Sequence, residues 1–395
     1  MGSVNGLNPT QSGTGFLSFN SLPPRLWITS EDEEFDETTI QHWKDEGFDV
    51  TYLPMNGGGK PYVQELKRLA DDLELGEAYA LVAYGDAATI CLDVATKPMP
   101  HCCALICYYP TSIPHPTAKY PSSLNLTIHL THSQGFVPSF PVYLYSGVEP
   151  GFAEHDLDEF NRVSASLAWS RSLAAVRRGF KKDISEHLER TNETFKTLSL
   201  KHRDAAGTVG MMVQDSPYVN HVPTMTGGIG KRALYHFYHD FFIPGNPPSL
   251  RVQLVSRTVG VNRVVDEFVV SFKHTVEMPW ILPGVPPTNK TVSIAIVSIV
   301  TVRGGKLEHE HVYWDQASVL QQIGALSADN VPQALKSKGC KKLPIVGVEG
   351  TKKVLDVDKL PSNNLVLDAE DRSGGGRRWM SVASLQRVLA KEDSS

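Results

Sequence analysis

The chain has 395 residues and a formal net charge of -5 at pH 7, with 41% hydrophobic and 21% charged residues. These proportions are ordinary for folded domains, and the length exceeds the ~250 to 300 residues at which one hydrophobic core stops growing, so two domains are expected. The negative charge gives no electrostatic reason to expect nucleic acid or an anionic membrane as a partner.

The first 24 residues are predicted to be a flexible tail. They are rich in Gly, Ser, Asn, Thr and Pro, and they lack the basic start and apolar run of a secretory signal. The longest apolar stretch, residues 292–302, is far shorter than the ~20 residues that span a bilayer. We therefore expect a cytoplasmic protein that has no membrane segment.

Residues 25–180 are predicted to form an α/β domain. Short apolar runs alternate there with amphipathic helical stretches, which is typical of a mostly parallel sheet covered by helices. The predicted strands are residues 25–29, 50–53, 78–83, 104–108, 126–130 and 142–145. The predicted helices are residues 37–46, 62–73, 87–95 and 158–178.

The cysteines of this first half are predicted to be reduced core thiols. Four of the five in the chain crowd one apolar region, namely Cys91, Cys102, Cys103 and Cys107. Their spacing is not the pair of pairs that a zinc site needs, so we expect no metal. The chain also lacks a nucleotide-binding loop or a haem motif, so we expect no cofactor.

Residues 181–326 are predicted to form an α+β domain. Two helices come first, at residues 182–200 and 230–241, and strands dominate afterwards. The predicted strands are long and rich in β-branched residues, at residues 259–274, 291–302 and 307–314. Helices followed by a meander of antiparallel strands are typical of α+β rather than α/β proteins.

Residues 327–395 are predicted to be a C-terminal extension. This segment mixes Lys-rich, Pro-containing and Gly-rich pieces. We expect partial disorder from Asp368 onward, with one short helix near residues 383–391.

The strand at residues 78–83 and the following Tyr-Gly-Asp-Ala-Ala resemble the nucleophile elbow of dienelactone hydrolases, a branch of the α/β-hydrolase family. The resemblance spans residues 25–180 and implies an α/β-hydrolase-like sheet. It puts Gly85 at the nucleophile position and Pro150 at the histidine position. A nucleophilic Ser or Cys needs an adjacent base held by a third group, so the domain is predicted to be a degenerate hydrolase.

An alternative assigns hydrolase activity to Asp86 as a nucleophile with His155 as its partner. The competing interpretation is that Asp86 caps the following helix, because a carboxylate accepts the free N–H groups there. A covalent ester on Asp86 would favour the hydrolase.

Several separated motifs of the second half resemble the SnoaL-like polyketide cyclases, which belong to the nuclear transport factor two-like superfamily. They are Tyr-Val-Asn-His-Val-Pro from Tyr218, residues 227–242, Phe-Lys-His ending at His274, and residues 308–315. The resemblance covers nearly all of residues 181–326 and implies a cone-shaped α+β domain with an enclosed pocket. It also implies a homodimer, because such domains commonly pair through their exposed sheet.

The last predicted strand offers two alternative faces. Because alternate residues of a strand share a face, His309, His311, Tyr313 and Asp315 point one way and the residues between them point the other. Asp315 matches the position from which SnoaL-type cyclases draw their general base, which favours the first set as the interior one. A β-bulge would exchange the two faces.

The predicted catalytic residues are the base Asp315 and the imidazoles of His311, His274 and His221. A carboxylate in an apolar pocket has a raised pKa that suits proton transfer, and imidazoles exchange protons near neutral pH. Each has a structural alternative, because Asp315 can cap a helix at residues 316–323 and the histidines can be core residues. The predicted substrate-binding residues are Tyr218, Asn220, Trp280 and Tyr313.

Together these features predict a cofactor-free acid–base enzyme, namely a cyclase, isomerase or dehydratase. Its substrate would be a hydrophobic carbonyl compound, of the kind found as polyketide or terpenoid intermediates of secondary metabolism. The second hypothesis is a non-catalytic ligand-binding or scaffold protein, because fold alone does not determine function. Asp315 variants that keep ligand affinity and all biological output would favour the binding protein.

Overall fold

The structure is a computed structural model in which residues 23–366 are described. The chain divides into two compact units, Met1–Ile184 and Ser185–Ser395, whereas the sequence predicted a boundary between residues 180 and 181. All of the predicted N-terminal tail except its last two residues lies outside the described residues. The segment from Asp368 onward, with its predicted helix at residues 383–391, lies outside them as well.

The N-terminal unit contains one sheet of six parallel strands. The strands are β1 (Arg25–Ser30), β2 (Asp49–Pro54), β3 (Tyr79–Tyr84), β4 (Cys102–Tyr108), β5 (Asn125–Thr131) and β6 (Tyr143–Tyr145). They lie in the order β2-β1-β3-β4-β5-β6. Every residue of β3 is buried, as expected for a central parallel strand with both faces covered.

Four helices flank this sheet: α1 (Glu37–Asp45), α2 (Gly59–Arg68), α3 (Gly85–Val94) and α4 (Arg162–Gly179). Helices α1 and α4 begin after capping residues, because Asp36 accepts a hydrogen bond from Thr38 N and Asn161 accepts one from Ser164 N. Helix α4 packs against β4 and β5. The α/β architecture expected for this half is present, while its membership of the hydrolase family stays a prediction.

The C-terminal unit contains a second six-stranded sheet. Its strands are β7 (Tyr218–His221), β8 (Thr226–Ile229), β9 (Arg251–Val259), β10 (Arg263–Lys273), β11 (Thr291–Arg303) and β12 (Lys306–Trp314). They lie in the order β8-β7-β12-β11-β10-β9. Strands β12 and β7 are parallel, and the other neighbours are antiparallel. The predicted antiparallel meander is present as β10, β11 and β12.

Four helices accompany these strands in the chain. Helices α5 (Ser185–Lys196) and α6 (Ala205–Gly210) precede β7, α7 (Lys231–His236) lies between β8 and β9, and α8 (Gln316–Gln322) follows β12. Helices α5 and α7 each continue into one π-helical turn, at Thr197–His202 and Phe237–Phe242. Such π-turns are uncommon and often occur at functional sites.

Helix α5 covers one face of the second sheet. It packs against β10, β11 and β12, and its Asn192 and Lys196 side chains bond to Asp266 on β10. Asp266 lies directly opposite Ser298 on β11, and Ser298 lies opposite Val312 on β12. We call this helix-covered side the inner face and the other side the outer face.

The prediction that His309, His311, Tyr313 and Asp315 form the interior face is wrong. The structure buries Glu310, Val312 and Trp314, whereas Tyr313 is exposed. The physical reason is the strand register, because Val312 pairs with Ser298 and therefore shares the side that α5 covers. A bulge is present opposite Thr301 and Val302, but it lies too far towards the start of β12 to exchange these residues.

The predicted C-terminal extension is partly packed on the second sheet. It forms α9 (Gln333–Lys336) and α10 (Val348–Leu355), and α10 lies against β11. Thr351 Oγ1 donates a hydrogen bond of 3.0 Å to the Ser293 carbonyl. Across residues 23–366, no helix combines the length and the apolar character that crossing a bilayer requires.

Candidate functional site

A buried polar cluster lies on the inner face of the second sheet. Asp266 is 1% exposed and binds Arg257, Lys196 and Asn192, with Nε of Arg257 at 2.7 Å and Nδ2 of Asn192 at 2.9 Å. Ser298 Oγ, in the next strand, donates a hydrogen bond of 2.7 Å to Glu310 Oε1. The β-sheet register therefore places the two carboxylates on the same face beneath α5, with β11 between them.

The two carboxylates have different environments. Hydrogen bonds from Arg257 and the charge of Lys196 lower the pKa of Asp266 despite its burial. Burial raises the pKa of Glu310, because the charge of Lys196 and the bond from Ser298 only partly offset the lost hydration. Asp266 is thus ionised at neutral pH, whereas Glu310 is a carboxyl group suited to gaining and losing a proton.

Tyr238 and His221 share the interior with Glu310. Tyr238 is 2% exposed, and burial raises the pKa of its hydroxyl well above the ordinary value, with the nearby charge of Glu310 contributing. Burial lowers the pKa of His221 to about 3. At neutral pH, Tyr238 is therefore a hydroxyl donor and His221 is a neutral imidazole.

Aromatic side chains surround His221. Its ring centroid lies between 5.4 and 5.9 Å from those of four other rings, namely Phe237, Phe242, Trp280 and Trp314. Trp280 is held by a hydrogen bond of 2.9 Å from its Nε1 to Asn246 Oδ1. The surroundings are suited to a flat, hydrophobic ligand.

Asn192 carries a buried polar atom, Oδ1, that has no hydrogen-bond partner within residues 23–366. On Glu310 and His221, the side-chain hydrogen bonds found involve Oε1 and Nδ1. Buried polar groups are almost always hydrogen-bonded. The unsatisfied Asn192 oxygen therefore indicates a place in this interior where a ligand or water molecule binds.

The predicted base Asp315 is exposed and lies at the start of α8. Its Oδ1 accepts a hydrogen bond of 3.0 Å from Ala317 N, and its Oδ2 accepts one of 2.5 Å from Ser318 Oγ. Both oxygens are thus engaged in capping the helix. The structure does not bring Asp315 together with Glu310 and Tyr238.

Replacing Asp315 by Ala is expected to lower the free energy of unfolding by about 1 kcal/mol, because the helix loses its cap. Replacing it by Asn, which keeps the oxygen that faces Ala317 N, should cost less. Hydrogen exchange of peptides from β12 and α8 measures both changes. Equal losses for the two variants would contradict the capping role.

Three further predicted residues, His311, Tyr313 and Tyr218, lie on the outer face. His311 contacts both tyrosines through its ring, at centroid distances of 6.2 Å to Tyr313 and 5.3 Å to Tyr218. Burial and the charge of Arg263 lower the pKa of His311. Asn220 pairs with His311 across β7 and β12 and is half-buried. These residues form a group separate from Glu310.

His274 and Trp280 belong to the buried side of the segment that joins β10 to β11. His274 is completely buried, its Nδ1 lies 3.1 Å from Thr288 Oγ1, and its Nε2 has no partner within residues 23–366. The carbonyl of Trp280 accepts hydrogen bonds from Thr224 and Thr226. These contacts fasten the loop that contains Trp280 to the segment after β7.

The carboxylate of Glu31 fills the space beside Gly85, the position that the hydrolase resemblance assigns to the nucleophile. Gly85 has φ +50°, and a Cβ at that position would lie 2.5 Å from both carboxylate oxygens of Glu31. Glu31 also accepts a hydrogen bond of 3.2 Å from Asp86 N. A side chain at position 85 would therefore displace Glu31.

The predicted pair of Asp86 and His155 has other partners. Asp86 lies in the first turn of α3 and binds the Thr111 hydroxyl. His155 Nδ1 lies 2.8 Å from Asp36 Oδ2. Pro150 is exposed. The contacts thus give no support to an ester-forming Asp86, and that alternative stays a prediction.

Glu154 gives the N-terminal unit a pH-dependent stability. Burial raises the pKa of its carboxyl to about 7, with a bond from the Tyr109 hydroxyl opposing and the charges of Asp156, Glu31 and Asp36 adding to the increase. Because the folded protein holds this proton more tightly than the unfolded chain, the contribution is complete below the ordinary pKa of 4.5 and is lost as pH rises through about 7.

The free energy of unfolding of the N-terminal unit is therefore expected to fall between about pH 5 and about pH 8. The Glu154→Gln variant should lose most of this dependence, because its amide does not ionise and still accepts the bond from Tyr109. Hydrogen exchange of peptides from β4 and β5 measures the change. An identical pH profile in the variant would refute the assignment to Glu154.

The cysteines of the N-terminal unit are free thiols. Cys91 and Cys107 are completely buried, and burial raises the pKa of Cys91 to about 12. Within residues 23–366, no group of three or more His, Cys, Asp and Glu side chains is arranged to hold a metal ion. The buried thiols of Cys91 and Cys107 are therefore protonated and unreactive at neutral pH.

No protein-family profile and no curated protein matches this chain. Solved structures with partial similarity include a putative SnoaL-like polyketide cyclase from Jannaschia sp., which is 18% identical with a TM-score of 0.31 and covers 37% of this chain and 96% of its own. AclR, a putative hydroxylase from Streptomyces galilaeus, is 17% identical with a TM-score of 0.30, covering 40% of this chain and 95% of its own.

A putative ketosteroid isomerase from Kribbella flavida is 10% identical with a TM-score of 0.24, covering 33% of this chain and 79% of its own. These scores are low, so the architecture described above rests on strand order and register alone. The predicted membership of the SnoaL-like group remains an expectation for the C-terminal unit.

Proposed function

We propose that the C-terminal unit is a cofactor-free acid–base enzyme that moves a proton on a hydrophobic carbonyl compound. The observation that carries this proposal is the burial of Glu310, Tyr238 and His221 together in an interior lined by aromatic rings. Isomerisation, cyclisation and dehydration all begin with such a proton transfer. The substrate would lie between the inner face of the sheet and the rings around His221.

Glu310 is the proposed base. Its carboxylate takes a proton from the carbon next to the substrate carbonyl, and the electron pair of the broken C–H bond moves onto the carbonyl oxygen to form an enolate. The raised pKa of Glu310 strengthens it as a base, because base strength follows pKa. Returning the proton to another carbon completes an isomerisation.

Tyr238 and His221 are the proposed partners of the enolate oxygen. The Tyr238 hydroxyl stays protonated because burial raises its pKa, so it donates a hydrogen bond as negative charge develops. The Thr226 hydroxyl donates its only proton to the Trp280 carbonyl, so Nδ1 of neutral His221, 3.2 Å from Thr226 Oγ1, is the donor of that contact. Nε2 of His221 is then an acceptor, which binds the same substrate oxygen once this oxygen carries the proton of an enol. Donors placed in advance in an apolar site stabilise such charge strongly.

The proposed base is Glu310 instead of Asp315. His221 and Trp280, which the sequence predicted as site residues, remain part of the proposed site. His274 is a further candidate for ligand contact because its buried Nε2 is unsatisfied. The homodimer expected from the sequence remains a proposal, with the partly exposed outer face around Tyr313 as its candidate surface.

Deuterium uptake by tetralone in D2O tests the proposal, because this ketone is bicyclic, hydrophobic and carries exchangeable protons next to its carbonyl. We expect the protein to accelerate the loss of these proton signals in NMR spectra relative to buffer. Binding of tetralone without acceleration would instead favour the ligand-binding protein. The absence of both would contradict a carbonyl ligand at this site.

A further inference from the structure

Asn192 is a completely buried amide with one unsatisfied atom. It lies on α5 above the inner face, with 0% of its surface exposed. Its Nδ2 donates a hydrogen bond of 2.9 Å to Asp266 Oδ2. Its Oδ1 has no partner within residues 23–366, and leaving such an acceptor dry costs about 1 to 3 kcal/mol.

The orientation of this amide is determined by its neighbour. Asp266 is ionised and accepts hydrogen bonds only, so the nitrogen of Asn192 must face it and the oxygen must point away. The nearby cations Lys196 and Arg257 bind Asp266, and neither donates a hydrogen bond to this oxygen. The vacant acceptor is therefore a fixed property of the site.

The unsatisfied oxygen belongs to the same interior as Glu310. Asn192 and Lys196 both bind Asp266. The charges of Lys196 and Asp266 in turn act on the Glu310 carboxyl. Lys196 also lies 4.9 Å from the centre of the Phe268 ring. A ligand bound beside Glu310 beneath α5 would therefore have the Asn192 oxygen as an unpaired acceptor nearby.

We infer that Asn192 selects substrates that carry a hydroxyl group, which donates a hydrogen bond to its Oδ1. The inference rests on the proposed function and narrows its substrate class to hydroxylated, hydrophobic ring ketones, such as phenolic or enolic compounds. A site with a buried acceptor disfavours the analogue that lacks the donor, because that analogue leaves the acceptor unpaired. Asn192 is thus a specificity-determining residue.

Binding of tetralone and of a panel of hydroxytetralones, which differ in the position of the hydroxyl, tests this inference. We expect at least one hydroxytetralone to bind the wild-type protein roughly 3- to 10-fold more tightly than tetralone. The Asn192→Leu variant should bind both equally. Glu310→Gln should keep the preference while losing deuterium exchange, which separates recognition from chemistry.

Equal affinities in the wild-type protein, or a preference that survives in Asn192→Leu, would overturn the inference while leaving exchange of tetralone and the proposed function intact. If Asn192→Leu does not fold, a crystal structure of the wild-type protein with the preferred hydroxytetralone decides the matter. We expect its hydroxyl oxygen within hydrogen-bond distance of Asn192 Oδ1. A hydroxyl placed elsewhere would also overturn the inference.

Discussion

Replacing Glu310 by Gln is expected to slow protein-catalysed deuterium exchange of tetralone by about a hundredfold to ten-thousandfold, which is the usual contribution of a general base. The amide has nearly the same shape and still accepts the hydrogen bond from Ser298. It has no basic lone pair for the substrate proton. Proton NMR spectra recorded over time in D2O measure the loss directly.

Glu308→Gln is the matched control for this variant. Glu308 lies on the same strand, is partly exposed and pairs with Arg303 at 3.4 Å. We expect its rate to remain within about twofold of wild type, because the Glu308 side chain is 31% exposed and ion pairs open to solvent contribute little. Exchange should also increase with pH as Glu310 ionises. Full activity in Glu310→Gln would rule out this carboxylate as the base.

Replacing Asp266 by Ala is expected to destabilise the C-terminal unit by about 3 to 5 kcal/mol, which is the usual cost of breaking a buried ion pair. The change leaves Arg257 and Lys196 without their shared anion and leaves Asn192 Nδ2 without an acceptor. Because the chain has two units, a single unfolding transition is not assumed. Hydrogen exchange of peptides from β10 and β11 reports on this unit alone.

Glu189→Gln provides the comparison for Asp266→Ala. Glu189 also binds Arg257, but its side chain is 45% exposed, so the expected loss is below about 1 kcal/mol. The lowered pKa of Asp266 adds a pH test, since its contribution is present above the ordinary pKa and disappears as pH falls. Similar losses in both variants would contradict a central role for Asp266.

Much of the fold followed from local sequence patterns. The predicted strands and the observed β1 to β6 agree to within about two residues at each end, because each is a short apolar run bounded by polar residues. The strand β9 was missed. Nearly all of its residues are exposed, so neither a continuous apolar run nor a clear alternation marks it.

The candidate site was harder to predict because it depends on non-local contacts. Alternation in β12 defines two faces, but only the packing of α5 determines that Glu310 is inside. One local signal was available. Ser298 and Asp266 are polar residues within otherwise apolar sets of alternate positions in β11 and β10, and a polar residue in such a set requires a buried partner.

Asp315 shows how one residue can support two interpretations of a sequence. The residue directly precedes a helix, and a carboxylate there is equally suited to capping. In the structure both of its oxygens bind atoms of that helix. The π-helical turn that contains Tyr238 had no signal in the sequence, because π-turns have no distinctive residue pattern of the kind that caps provide.

A crystal structure of the protein soaked with naphthol tests the central claim most directly, because this phenol resembles the enol of tetralone in shape and in its hydroxyl group. We expect the naphthol ring to lie among the side chains around His221, with the naphthol oxygen within hydrogen-bond distance of Tyr238 or Glu310. Naphthol bound instead on the outer face beside His311 and Tyr313, with the inner face empty, would contradict it.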